Sequence, residues 1–167
     1  MSQFISVFDM LKIGVGPSSS HTLGPWRAAQ SFIEKLRIHN LFHLVDAVRI
    51  DLYGSLSLTG KGHATDIAVL LGLSGEDPET IDVREIEDII KDIELFKTIK
   101  LNGIKEVNFS TEDLIFNKEF LSYNPNGMTF SAFSKGKEIS KETFFSIGGG
   151  FIIQEDDNLV EEIEITK

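Results

Sequence analysis

The chain contains no cysteine. It cannot form a disulfide, and it cannot offer thiolates to a zinc or iron–sulfur centre. It is also short of basic charge: 16 Lys and Arg stand against 26 Asp and Glu, a net charge of -10. A nucleic-acid surface needs clustered Lys and Arg, so that class of partner is excluded. No apolar run reaches membrane-spanning length, and the start, MSQFISVFDML, lacks the basic end and long apolar stretch of a secretory signal. A soluble, cytoplasmic protein with no membrane partner is expected. No repeat or low-complexity segment interrupts the 167 residues, a normal length for one domain. Hydrophobic residues make up 41%, enough to exclude disorder.

What is present reads as helices followed by strands. Phe4, Val7, Phe8 and Leu11 give residues 4–12 one apolar side, a short helix or turn. From Pro25, the residues Trp26, Ala29, Phe32, Ile33 and Leu36 recur at helical spacing and fade near His39 and Asn40. Val48, Ile50 and Leu52 alternate with Arg49, Asp51 and Tyr53, which predicts a half-buried strand. HATDIAVLLGLSG is apolar nearly all round and predicts a buried helix starting near His63. Asp82 followed by Glu85 resembles a capping box, and Ile86, Ile89, Ile90 and Ile93 form the stripe of the helix it opens. The acids between 79 and 94 are the solvated back of that helix. Beyond it IKEVNF, LIFN, MTFSAFS, ISKETFFSI, FII and EEIEITK are strand candidates, with a hairpin turning at Gly136. The irregular order of helices and strands predicts an α+β fold with a mixed or mainly antiparallel sheet.

Three stretches stand out, and only the first carries more polar residues than a cap requires. GPSSSHTLGP, residues 16–25, places Ser18, Ser19, Ser20, His21 and Thr22 together before a helix. Their hydroxyls can cap the helix, or, with free backbone N–H groups, grip a carboxylate or phosphate. GKGHATD, residues 60–66, lets the backbone bend at Gly60 and Gly62 and puts His63 near a helix N-terminus. A helix N-terminus disfavours imidazolium, which leaves a neutral ring able to take a proton. The other reading is a surface histidine beside a helix capped by Thr59 or Thr65. Gly148-Gly149-Gly150 is not a phosphate loop, because no Lys-Ser or Lys-Thr follows; a bulge or close backbone approach is expected. His39 and His43 are read as surface residues.

Together SVFDMLKIGVGPSSSHTLGP, DLYGSLSLTGKGHATD and FFSIGGGFI resemble the β domain of bacterial iron–sulfur L-serine dehydratases. Trp26 and Ala64 are small departures from that pattern, and neither touches its polar groups. The resemblance implies a single β domain over residues 1–167, similar in fold to the allosteric substrate-binding domain of D-3-phosphoglycerate dehydrogenase. It implies deamination of L-serine to pyruvate and ammonia with a [4Fe–4S] cluster. The cluster cysteines would lie in an α domain or α subunit outside this chain, and an open iron would act as Lewis acid on the hydroxyl. The β half would then be inactive alone, and the assembled enzyme a homo-oligomer. In this reading His63 is the general base, while Ser18, Ser19, Ser20, His21 and Thr22, with Thr65 beside them, position the carboxylate or the leaving group. The segments 18–22 and 60–66 are expected to meet at one edge, where the α domain docks. The alternative is a regulatory module that binds L-serine and controls a separate catalytic domain.

Overall fold

The structure, a computed structural model, describes residues 19–60 and 64–155. The expected helix at 4–12 and strand EEIEITK, and the site candidates Ser18 and His63, lie outside the described residues.

A wide, π-type helical turn, Ser19–Leu23, runs directly into α1, Gly24–Ile38. Leu23 occupies the cap position with helical backbone angles, so the polar run continues the helix instead of capping it. Pro25 sits in the first turn, and Trp26, Ala29, Phe32, Ile33 and Leu36 are all buried, as the spacing predicts. Asn40, at φ 56°, ends the helix in the left-handed region. Strand β1, Ala47–Leu52, follows.

GSLSLTG is helical, forming α2, Gly54–Gly60, although its serine–leucine alternation carries no helical signal. The cause is tertiary. Gly54 N donates to Glu119 O and Ser55 N to Pro125 O, both at 2.8 Å. At Gly54, φ is +56° and a Cβ would lie 2.4 Å from Pro125 O. Helix α3, Thr65–Leu73, begins after Ala64, which is left-handed at φ 81°. Helix α4, Val83–Phe96, is capped by Asp82, whose carboxylate accepts from Arg84 N at 2.8 Å. Ile86, Ile90 and Ile93 are buried beneath it.

The remaining strands are β2, Thr98–Leu101; β3, Lys105–Asn108; β4, Leu114–Phe116; β5, Gly127–Ser134; β6, Lys137–Gly148; and β7, Phe151–Gln154. Strand β2, with no counterpart in the sequence reading, begins as soon as Lys97, at φ 53°, breaks α4. Among the described residues the sheet order is β2-β3-β1-β5-β6-β7. Strand β4 pairs with β1 as well, taking over from β3 along the same edge. The pairs of β1 with β3 and with β4 are parallel; the others are antiparallel. This is the α+β architecture with a mixed, mainly antiparallel sheet that the sequence predicts. The β5–β6 hairpin turns at Lys135 and Gly136, both at positive φ, the two-residue turn that fits the twist of paired strands.

Helices α1 and α3 pack on each other and on one face of the sheet. Phe32 of α1 stacks on Phe130 of β5 with ring centroids 5.4 Å apart. Gly72 of α3 lies so close to α1 that a Cβ would meet Trp26 O at 2.4 Å. Glu76 O accepts from Trp26 Nε1 at 2.8 Å and from Gln30 Nε2 at 3.0 Å, which locks the end of α3 to the start of α1. On the other face, Asp51 is buried, not solvated. Arg49 donates to its two oxygens at 3.0 and 3.1 Å, and Asn117 Nδ2 donates to Oδ1 at 3.1 Å. His39 and His43 are exposed, as expected. Among the described residues no helix is long and apolar enough to cross a membrane.

Candidate functional site

The two polar stretches meet. Thr65, at the first position of α3, is fully buried, and its Oγ1 donates to His21 O at 2.5 Å. Forty-four residues separate the two in sequence. The packing of α1 against α3 brings them together, because one stretch enters α1 and the other enters α3. Thr22 is also fully buried. A π-type turn widens the backbone and places successive side chains where a regular helix would not, a feature common at functional sites.

His21 is partly buried, and its Nδ1 lies 2.9 Å from Ser20 Oγ. The hydrogen bond fixes the ring plane. When the serine donates, Nε2 carries the ring proton; when Nδ1–H donates, Nε2 is an acceptor. Ser20, His21 and Thr22 therefore lie on one turn held to Thr65, with Ser19 opening it. Asp66 accepts from Ile67 N at 2.9 Å and places its charge at the positive end of α3.

The glycine stretch reaches the same turn. Gly148, Gly149 and Gly150 all adopt positive φ, and the β6–β7 register shifts between Ser146 and Gly148, the expected bulge. Gly150 O accepts from Arg27 Nη1 at 3.1 Å. A Cβ on Gly150 would lie 2.6 Å from Leu23 Cδ2, so Gly150 gives close passage over the residue that ends the polar turn. An open groove of about 640 Å³ runs along α1 beside Gly72, Asn102 and Gly150, with Arg27 and Glu34 in its wall. None of Ser20, His21, Thr22 and Thr65 lines it, so the polar cluster is a separate feature.

Three sequence stretches, spread from residue 16 to residue 152, thus have described parts that converge on one turn. The family described as "Serine dehydratase beta chain" matches residues 6–157. The chain belongs to this family. It is 46% identical over 155 residues to the L-serine dehydratase of Streptomyces coelicolor, covering 91% of this chain and 34% of the relative. It is 47% identical over 154 residues to L-serine dehydratase 2 of Escherichia coli, again 91% and 34%. The L-serine dehydratase of Helicobacter pylori is 41% identical over 161 residues, 94% of this chain and 35% of the relative. The chain spans about a third of the length of these relatives.

Membership in the family gives the converging stretches a shared context. Trp26 makes an indole bond to Glu76 O, and Ala64 is the left-handed residue that opens α3. Two polar residues of the family stretches escaped the sequence reading: Ser146 within FFSIGGGFI and Ser57 within α2, both buried. For Ser146 the available signal was a serine at an inward position of an apolar strand; Ser57, in a helix with no sequence signal, had none.

The donor set does not fit an iron–sulfur cluster. The chain has no cysteine, and among the described residues no group of three His, Asp or Glu could hold a metal ion. A cluster, where the family has one, takes no ligand set from these residues.

Proposed function

We propose that this chain is the β-domain part of an L-serine dehydratase, and that it supplies the substrate-positioning wall of an active site completed by a cluster-bearing α domain or subunit. The single observation that carries the reading is the Thr65–His21 hydrogen bond, which ties the two polar stretches together within a chain of this family. A [4Fe–4S] cluster would be held by that α domain or subunit. Loss of the substrate hydroxyl is accordingly not assigned to any residue of this chain.

The substrate carboxylate needs fixed donors. Ser18, Ser19, Ser20, His21 and Thr22 supply hydroxyl, imidazole and backbone N–H groups for it, and Thr65 holds the turn from behind. His63, two residues before Thr65 in the chain, is the general base that removes the Cα proton of L-serine. A neutral imidazole is suited to that transfer near neutral pH. Removal of the Cα proton and of the β-hydroxyl amounts to loss of water and leaves 2-aminoacrylate. This tautomerises to the imine, and water releases pyruvate and ammonia. The domain alone has no turnover in this account, and the assembled enzyme is a cytoplasmic homo-oligomer. A purely regulatory role is not favoured, since the relatives described above are whole dehydratases.

The test is His63→Ala in the complete enzyme with its cluster loaded. General-base loss lowers kcat by about 10²-fold or more, with a small change in KM for L-serine. Near-normal turnover removes His63 from the reaction.

A further inference from the structure

Among the described residues, two side-chain atoms are buried without a hydrogen-bond partner: Asn126 Oδ1 and Ser146 Oγ. They are neighbours. Ser146 N donates to Asn126 O at 3.0 Å, and Asn126 Nδ2 donates to Ser146 O at 3.3 Å. The pair extends the β5–β6 ladder one step beyond Gly127 and Phe145. Cross-strand neighbours place their side chains on the same face, about 5 Å apart. The amide orientation is fixed, because a backbone carbonyl only accepts: the nitrogen must face Ser146 O, and Oδ1 is left as an acceptor.

The face is the helix side. Phe144 lies edge-on to Phe130, which stacks on Phe32 of α1. Ser146, two residues after Phe144, points the same way and is fully buried. Strand β6 passes beside the Ser19–Leu23 turn. On the other side, Pro125, next to Asn126, accepts from Ser55 N at the start of α2, the helix that leads into GKGHATD. Ser146 thus lies on the helix side of the strand that passes beside the Ser19–Leu23 turn, and Asn126 follows the proline that holds the start of α2.

Native proteins pair nearly all buried polar atoms, and the exceptions are concentrated where something else meets them. Asn126 Oδ1 can only accept, and Ser146 Oγ can accept beside it, so the partner must be a donor. This step rests on the function proposed above, in which the polar turn holds the carboxylate of an amino acid. We infer that Asn126 Oδ1 and Ser146 Oγ receive the α-ammonium group of that substrate, making them positioning residues that select an amino acid over its deaminated analogue.

The experiment uses the complete enzyme, with Ser146→Ala compared against the unsubstituted protein in three measurements. Thermal unfolding reads whether the hydroxyl has a structural partner; an unpaired hydroxyl predicts a melting temperature that is unchanged or higher. Steady-state kinetics read substrate binding; KM for L-serine rises about tenfold, the loss of one bond to a charged group. Competitive inhibition by 3-hydroxypropanoate, which keeps the carboxylate and hydroxyl but lacks the ammonium, is unchanged. Ser146→Cys, similar in shape and a weak acceptor, makes the same comparison if the alanine variant does not fold. An unchanged KM overturns the assignment. So does an equal weakening of L-serine and 3-hydroxypropanoate, or a lowered melting temperature, which mark a packing or bound-water role. Absence of L-serine turnover in the unsubstituted complete enzyme removes the proposed function and this subsite with it, and is told apart because no substitution is involved.

Discussion

Thr65 is an ordinary residue in the sequence, one of several threonines near glycines, yet its hydroxyl joins two segments 44 residues apart. The bond is partly buried, with Thr65 itself fully so, and water replaces it only in part. Thr65→Val keeps the shape and leaves His21 O without this donor. It should destabilise the chain by about 1–3 kcal/mol in urea unfolding. A valine variant as stable as the parent would show that the two stretches are held by packing alone. At this scale the sequence was partly legible. Ser20, His21 and Thr22 stood out because polar residues clustered beside glycine and proline exceed local need, whereas Thr65 entered only as a possible cap or through the family resemblance. Ser146 did not, because a serine inside FFSI reads as strand filler until its burial and missing partner are seen. Asp51 read as solvent-facing by alternation alone. Its burial depends on Arg49, on its own strand, and on Asn117, far along the chain, and alternation reports neither bond.

At the level of elements, the two polar stretches meet because α1 and α3 cross closely at Gly72. A Cβ there would meet backbone, Trp26 O at 2.4 Å, and Ala29 Cβ at 2.7 Å, neither of which can swing away. Gly72→Ala should force the helices apart and cost about 1–3 kcal/mol. Thermal unfolding measures the stability loss, and turnover of the complete enzyme should fall with it, since α1 and α3 carry the two polar stretches. Helices with a clear stripe, α1 and α4, were legible from 3.6-residue periodicity. Helix α2 was not, because hydrogen bonds from Gly54 and Ser55 to the 119–125 segment impose it against a sequence of serine, leucine and glycine. Strand β2 was hidden because it follows α4 with only a left-handed Lys97 between them. Glu76, just after α3, gives a pH test of the same junction. Burial, and then the charge of Glu85, raise its carboxyl pKa above the ordinary value. The folded state thus binds the proton more tightly than the unfolded state. The cost of the buried charge is present in full above the folded pKa, and stability is regained as pH falls through it toward the unfolded value. Glu76→Gln should therefore raise the melting temperature near neutral pH, and the gain should shrink under acid. A gain independent of pH would place the effect in packing.

The molecule as a whole is an acidic α+β domain, about a third of the length of its relatives, whose family stretches gather at one turn of one helix. Their separation in sequence hides the convergence; only the packing of α1, α3 and β6 brings it out. The central claim is that this convergence is one wall of an active site shared with a cluster-bearing partner. The most direct measurement is pyruvate formation from L-serine by this chain, by its cluster-loaded partner, and by the two combined. The account predicts turnover by the combination and by neither part separately. Equal turnover by the partner alone, with nothing gained on adding this chain, would contradict it.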